Sequence, residues 1–263
     1  FSTLLFDDMV VSVFGAGDGR GPLRVEPQAA GGELPVVVAR TYAESPAGNL
    51  GSGLPATAGQ GNEPWVAMPG LLHDAAFRSS IAVTAPTDGR VRASFDLFRG
   101  GDGLVASGVE RSVDAGEQNQ WTVAQLFPGL AQTGVPMTVR ASLAAPGGVA
   151  YASLVDNAST DSAVYLGAAA AASWTVPGVA PLPGREASSW SSAVAAWDAG
   201  AAPVAVDLEY LPENSDNSSG GPTVLTIELA AHATEVLADV VANQFGITDG
   251  KGVLRVDASA PVV

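Results

Sequence analysis

The 263-residue chain sets 12 basic against 27 acidic side chains, a formal net charge of −15, with 47% hydrophobic residues and no cysteine. So acidic a surface repels phosphate backbones and anionic lipid, which argues against nucleic-acid and membrane-surface partners. The lack of cysteine excludes disulfides and thiolate metal sites. No apolar run approaches a membrane span, since the Ala-rich "YLGAAAAASW" is too short and too weakly apolar, so membrane insertion is not expected. The chain opens on Phe1 without a signal-peptide pattern, and is expected to be processed or excised from something longer.

In chain order, "STLLFDDMVVSVFG" predicts a short helix, which the Gly-rich "AGDGRG" turn and an "LRV" strand follow. "PVVVARTYAES" alternates as a strand does. "WVAMPG" precedes "FRSSIAVTAPTDGRVRASFDLF", a strand, turn and strand with Ile81, Val83, then Val91, Ala93, Phe95 and Leu97 on one face. "WTVAQLFPGLAQTGVPMTV" and the strand "GVAYASLVDNAS" come next. The order then starts again with "WTVPG", "WSSAVAAWDAGAAPVAVDLEYL" and the strand "TVLTIEL". In "TEVLADVVANQFG", Val236, Leu237, Val240, Val241 and Phe245 fall near helical spacing. Thr234 is the expected N-cap and Gly246 the stop, with a strand as the competing reading. "ITDGKGVLRV" and "APVV" close the chain.

The order repeats because the sequence repeats. At a constant offset of 231 (234 − 3), Thr3 aligns with Thr234, Asp8 with Asp239, Phe14-Gly15 with Phe245-Gly246, and Leu23-Arg24-Val25 with Leu254-Arg255-Val256. Phe127 marks a fainter middle copy, and the steps between the three phenylalanines are 113 (127 − 14) and 118 (245 − 127) residues. Ala39 matches Ala152 in the following strand. Steps of about 115 residues are those of whole domains in tandem. Period-2 runs parted by turn signals predict an all-β chain of Ig-like antiparallel β-sandwich modules, each with one short crossing helix. The boundaries are 1–59 for the back half of a module plus linker, 60–167 for a complete module, and 168–263 for one lacking its last strand. Phe-Gly supplies an apolar anchor and a left-handed helix end, and Asp-Gly-x-Gly the positive-φ positions of a tight turn.

The succession "FRSSIAV", "VDLEYLPENSDN", "VLADVVANQFGITDGKGVLRV" and "PVVVARTY" resembles a repeat family of large secreted bacterial surface proteins, built of tandem Ig-like sandwiches. The resemblance covers nearly the whole chain, although its motifs mark turns and core positions. It implies a bacterial, extracellular or cell-surface location and a structural or adhesive role, with no catalytic residues to carry over.

"GDGRG" and "TDGKG" make Asp18 and Asp249 weak calcium candidates, but a calcium loop needs oxygen ligands at several alternate positions and a closing Glu. A plain turn is the stronger reading, and no cofactor is expected. The only histidines, His73 and His232, lie in different modules without a nucleophile motif, so no enzymatic activity is expected. Among five tryptophans, Trp65 and Trp174 are expected at one shared repeat position and Trp190 at the core position of Phe77. That leaves Trp121 and Trp197 as candidate glycan platforms. The expected function is a non-enzymatic structural or adhesive array: a spacer, stalk or self-assembling filament component. The alternative is a carbohydrate-binding accessory module. Expected partners are neighbouring modules of a longer chain, copies of itself joined by strand complementation, or glycans.

Overall fold

The computed structural model describes residues 4–17, 21–26, 37–45, 48–57, 59–130, 134–184, 189–218 and 223–263. It is all-β, with 51% strand and 6% helix, and the strands pair antiparallel. The first elements are the helix α1 (Met9–Ser12) and a hairpin of β1 (Val38–Ser45) with β2 (Gly48–Pro55).

Next come β3 (Val66–Leu71), β4 (Phe77–Thr84), β5 (Val91–Arg99), β6 (Gly103–Val113), β7 (Gln118–Thr122), the helix α2 (Val123–Leu126), β8 (Met137–Leu143), β9 (Val149–Asp156) and β10 (Ser162–Leu166). They form two four-stranded sheets ordered β3-β8-β5-β6 and β10-β9-β4-β7. Both sheets feed one core, in which Met68, Phe95 and Val139 from the first meet Ile81, Val83 and Ala152 from the second. The alternation expected along β5 holds, with Val91, Ala93, Phe95 and Leu97 all buried. Burying each of the larger side chains contributes about 1.5–3 kcal/mol.

The remaining elements repeat this plan: β11 (Ala171–Val179), β12 (Leu182–Pro183), β13 (Ser189–Trp190), β14 (Val194–Trp197), β15 (Val204–Pro212), β16 (Val224–Leu229), β17 (Thr234–Leu237), the helix α3 (Val240–Phe245) and β18 (Gly252–Val262). The sheet β11-β18-β15-β16 has the strand order of β3-β8-β5-β6, and the pair β14-β17 matches β4-β7. A second core joins them, with Val204, Val206, Leu208 and Tyr210 of β15 standing 113 residues (204 − 91) beyond the buried residues of β5.

Repetition extends to single hydrogen bonds. Ser79 Oγ accepts from the Leu72 N–H at 3.0 Å and donates to the Leu72 carbonyl at 2.7 Å. Ser192 Oγ does the same with Ala180, at 2.9 and 3.3 Å. Asp8 and Asp239 both adopt left-handed backbone (φ 46° and 44°) just before their helices, and Gly15 and Gly246 both do so just after (φ 64° and 68°). The Gly15 and Gly246 N–H groups close the two helices onto Val11 and Ala242, each at 3.0 Å.

Three expectations need correction. Thr234 does not cap a helix: it begins β17, the helix starts only at Val240, and Asp239 is its N-cap. The competing strand reading therefore holds for the first half of that segment, because residues 234–237 pair with residues 194–197 of β14 in an antiparallel ladder. Trp65 and Trp174 do not share a position. Val66 pairs with Ala141 as Trp174 pairs with Val256, and the repeated Pro-Gly (Gly70 φ 78°, Gly178 φ 77°) lies one residue nearer to Trp174 than to Trp65. With a period of two, that single residue sends the two rings to opposite faces. Trp190 is not a core residue either: it is 69% exposed on β13.

Candidate functional site at the junction of the two cores

The side chains singled out from the sequence do not converge. Trp121, on β7 opposite Ile81, lies half-buried against the first core with its ring edge-on to Phe95 at 6.1 Å. Trp197 is 0% exposed and belongs to a third, smaller cluster with Phe98 and Ala67. A ring with no accessible face offers no platform to a sugar, which corrects the candidate role of Trp197. Asp249 is exposed in the turn after α3. Asp18 lies outside the described residues. Among the described residues, no group of three or more His, Asp or Glu side chains is placed to hold a metal ion.

The third cluster is where the two cores meet, and alternation explains how it forms. On β14, Val194 and Ala196 pack on the second core, so Ala195 and Trp197 point out of it toward β3. On β5, Leu97 is in the first core, so the adjacent Phe98 faces outward and is nonetheless buried. The outward faces meet. The Trp197 ring lies 4.7 Å from Phe98 and 5.8 Å edge-on from Trp65, and its Nε1 donates to the His232 carbonyl at 3.2 Å.

Polar groups frame the aromatics. The Arg140 guanidinium sits over Phe98 at 5.2 Å and Trp65 at 5.8 Å, where the ring faces attract a cation. Two hydrogen bonds to Asp96 Oδ2, at 3.0 and 2.7 Å, hold it there. The hydroxyls of Thr138 and Thr234 meet across the junction at 2.7 Å. Backbone bonds between Ala67 and Ala168, at 2.8 and 3.0 Å, pin the crossing from one set of strands to the next.

Asp198 is the unusual group. It is 1% exposed; its Oδ1 accepts from the Gly200 N–H at 2.7 Å, while its Oδ2 is buried without a hydrogen-bond partner. Burial pushes its carboxyl above the ordinary aspartate value, against the opposing Gly200 hydrogen bond and the attraction of His232. His232 holds φ at 59° and stacks its ring 5.6 Å from Phe98.

Sequence reasoning missed Phe98, Arg140, Thr138 and Asp198 as one site. The available signal was the doublet Leu97-Phe98, which breaks alternation by placing an aromatic on the outer face of a strand. A buried outer face calls for another body to cover it.

No protein-family model matches this chain, and no curated protein matches it.

Proposed function

We propose that the chain is a stretch of a tandem array of Ig-like β-sandwich modules, with a structural or adhesive role on the outside of a bacterial cell and no catalysis. In this reading it is a spacer, stalk or filament component whose useful property is resistance to bending. The observation that carries the proposal is the burial of Trp197 between two similarly ordered cores, because a fully covered outward ring fixes one module against the next. The net charge of −15 supports it, since like charge disfavours collapse of an extended array on itself.

Force spectroscopy of the chain held between handle domains tests this reading. Two separate unfolding events are expected, each releasing about 30–40 nm of chain. A single featureless extension would refute the modular reading.

Carbohydrate binding remains the second reading, now carried by Trp190, an exposed indole on the β12-β13 hairpin, which has no counterpart between β3 and β4. Retardation of the chain in polysaccharide gels, lost on Trp190→Ala, is the expected result for that reading; equal retardation of both proteins removes it.

A further inference from the structure

The two cores share a backbone geometry where β4 and β14 end, but not the residues that carry it. Beside the first core, the Ala85 N–H donates to the Glu117 carbonyl at 2.9 Å, and Gly116, just before Glu117, holds φ at 75°. Beside the second, the Asp198 N–H donates to the Ala233 carbonyl at 3.1 Å, and His232, just before Ala233, holds φ at 59°. The frame that carries an alanine and a glycine in one core thus carries a carboxylate and an imidazole in the other. Both exchanges run against local preference. Asp198 is buried as fully as Ala85, and left-handed backbone is uncommon for a residue with a Cβ.

Each of the two side chains also buries an unmet polar atom, since Asp198 Oδ2 and His232 Nδ1 have no hydrogen-bond partner. They attract each other, His232 being the charged group that acts on Asp198. The charges around them are otherwise engaged. Arg99 pairs at 2.7 Å with Asp102, in the turn whose Gly103 lies against His232, and Arg140 pairs with Asp96 over Phe98. Glu228 and Glu235, on the strands before and after His232, are exposed, and β18 sets the apolar Val262 opposite Asp198. Among the described residues no third His, Asp or Glu joins the pair, and two donors fall short of the three or four that a protein metal site uses. A proton is what two such groups share.

We propose that Asp198 and His232 form a proton-sharing pair that makes the junction of the two cores respond to pH. While the pair keeps a titratable proton, on either partner, the carboxylate charge is cancelled or absent and the junction stays closed. When that proton leaves, a bare carboxylate charge stays buried, and opening the junction to water relieves it. The pair touches the aromatics directly. His232 lays its ring 5.6 Å from Phe98, its carbonyl accepts the Trp197 Nε1–H at 3.2 Å, and Trp197 is the residue before Asp198. Two groups so coupled titrate as a unit, so both steps belong to the pair. Burial, which pushes the Asp198 carboxyl above its ordinary value, acts in the same sense: protons favour the closed form. The pair acts on the junction whether or not the chain is a stretch of an array.

The Trp197 Nε1–H reports from the centre of the junction, and its NMR signal is assigned by its loss in Trp197→Phe. Hydrogen exchange at this site, corrected for the exchange of free indole, is followed from about pH 4 to about pH 8, which brackets the ordinary aspartate and histidine values. Protection is expected to fall about tenfold across that range, the equivalent of one pKa unit. The backbone N–H groups of Phe95 and Val206, buried in the first and second cores, are expected to keep theirs. In Asp198→Asn the fall is expected to vanish, with protection staying high. His232→Gly, which suits a φ of 59° and copies Gly116, is expected to move the fall to lower pH. Constant protection in the parent, a fall that survives Asp198→Asn or stays unmoved in His232→Gly, or one matched at Phe95 and Val206 overturns the inference.

Discussion

Thr138 of β8 and Thr234 of β17 share one hydrogen bond, hydroxyl to hydroxyl at 2.7 Å, with both side chains buried. The residues are 96 positions apart (234 − 138), and each belongs to a sheet covering a different core. Each hydroxyl thus satisfies a group that the other sheet has taken out of water.

Thr138→Val keeps the shape and removes one partner. The Thr234 hydroxyl then stays buried and unbonded, at an expected cost of about 1–3 kcal/mol. Adding Thr234→Val is expected to recover much of that loss, since no orphan remains. Urea denaturation of both single variants and the double variant measures the coupling. Strictly additive losses would contradict it.

Trp197→Ala empties the centre of the junction. The expected loss is about 3–5 kcal/mol, as for other buried aromatic truncations. On the proposed modular reading, the variant should also unfold in two resolved steps where the parent unfolds in one, because the two cores are no longer coupled. Trp121→Ala, which truncates a half-buried ring on the first core, is expected to lower stability without splitting the transition. Thermal unfolding followed by calorimetry distinguishes the two.

Asp198 gives the stability a definite pH dependence. Its folded pKa lies above the unfolded value, so the folded chain holds the proton more tightly than the unfolded chain does. The stabilisation is therefore present below the unfolded pKa and is lost as pH rises through the folded one. Asp198→Asn keeps an oxygen for the Gly200 N–H and removes the charge. It is expected to stabilise the protein near neutrality, with the advantage disappearing toward about pH 4, where an ordinary aspartate takes up its proton. Urea midpoints of both proteins across that range provide the check, and a pH-independent difference would contradict it.

Gly70 and Gly178 form a matched pair. Both follow the repeated proline and hold φ near 78° and 77°, so Ala at either position costs about 1–3 kcal/mol in backbone strain. They differ in what a new Cβ would meet: the Ala195 Cβ at 2.5 Å for Gly70, and open space for Gly178. Gly70→Ala is thus expected to cost more than Gly178→Ala, and the excess should vanish in an Ala195→Gly background. Equal losses would show that the contact of β3 with β14 tolerates the added atom.

Much of the fold was legible because its signals are local. The alternation at Val91, Ala93, Phe95 and Leu97 is buried as it predicts, and the Phe-Gly and Asp repeats recur as left-handed backbone at Asp8, Gly15, Asp239 and Gly246. Local signals also failed in a specific way. Helical spacing over 236–245 described only the part from Val240, since the β14 ladder claimed the residues before it.

Amino-acid order alone determined the strands, the turns and the repeat, because period-two alternation and glycine backbone freedom act between near neighbours. On β5 it also determined the face that looks into the core, that of Val91, Ala93, Phe95 and Leu97. Only the tertiary structure decided what the other face meets. Trp190 reaches solvent while Trp197 is buried, although both are aromatic and seven residues apart (197 − 190). The difference lies in Arg140, Phe98 and Trp65, which stand 57 (197 − 140), 99 (197 − 98) and 132 (197 − 65) residues earlier, and no local period carries information over such distances.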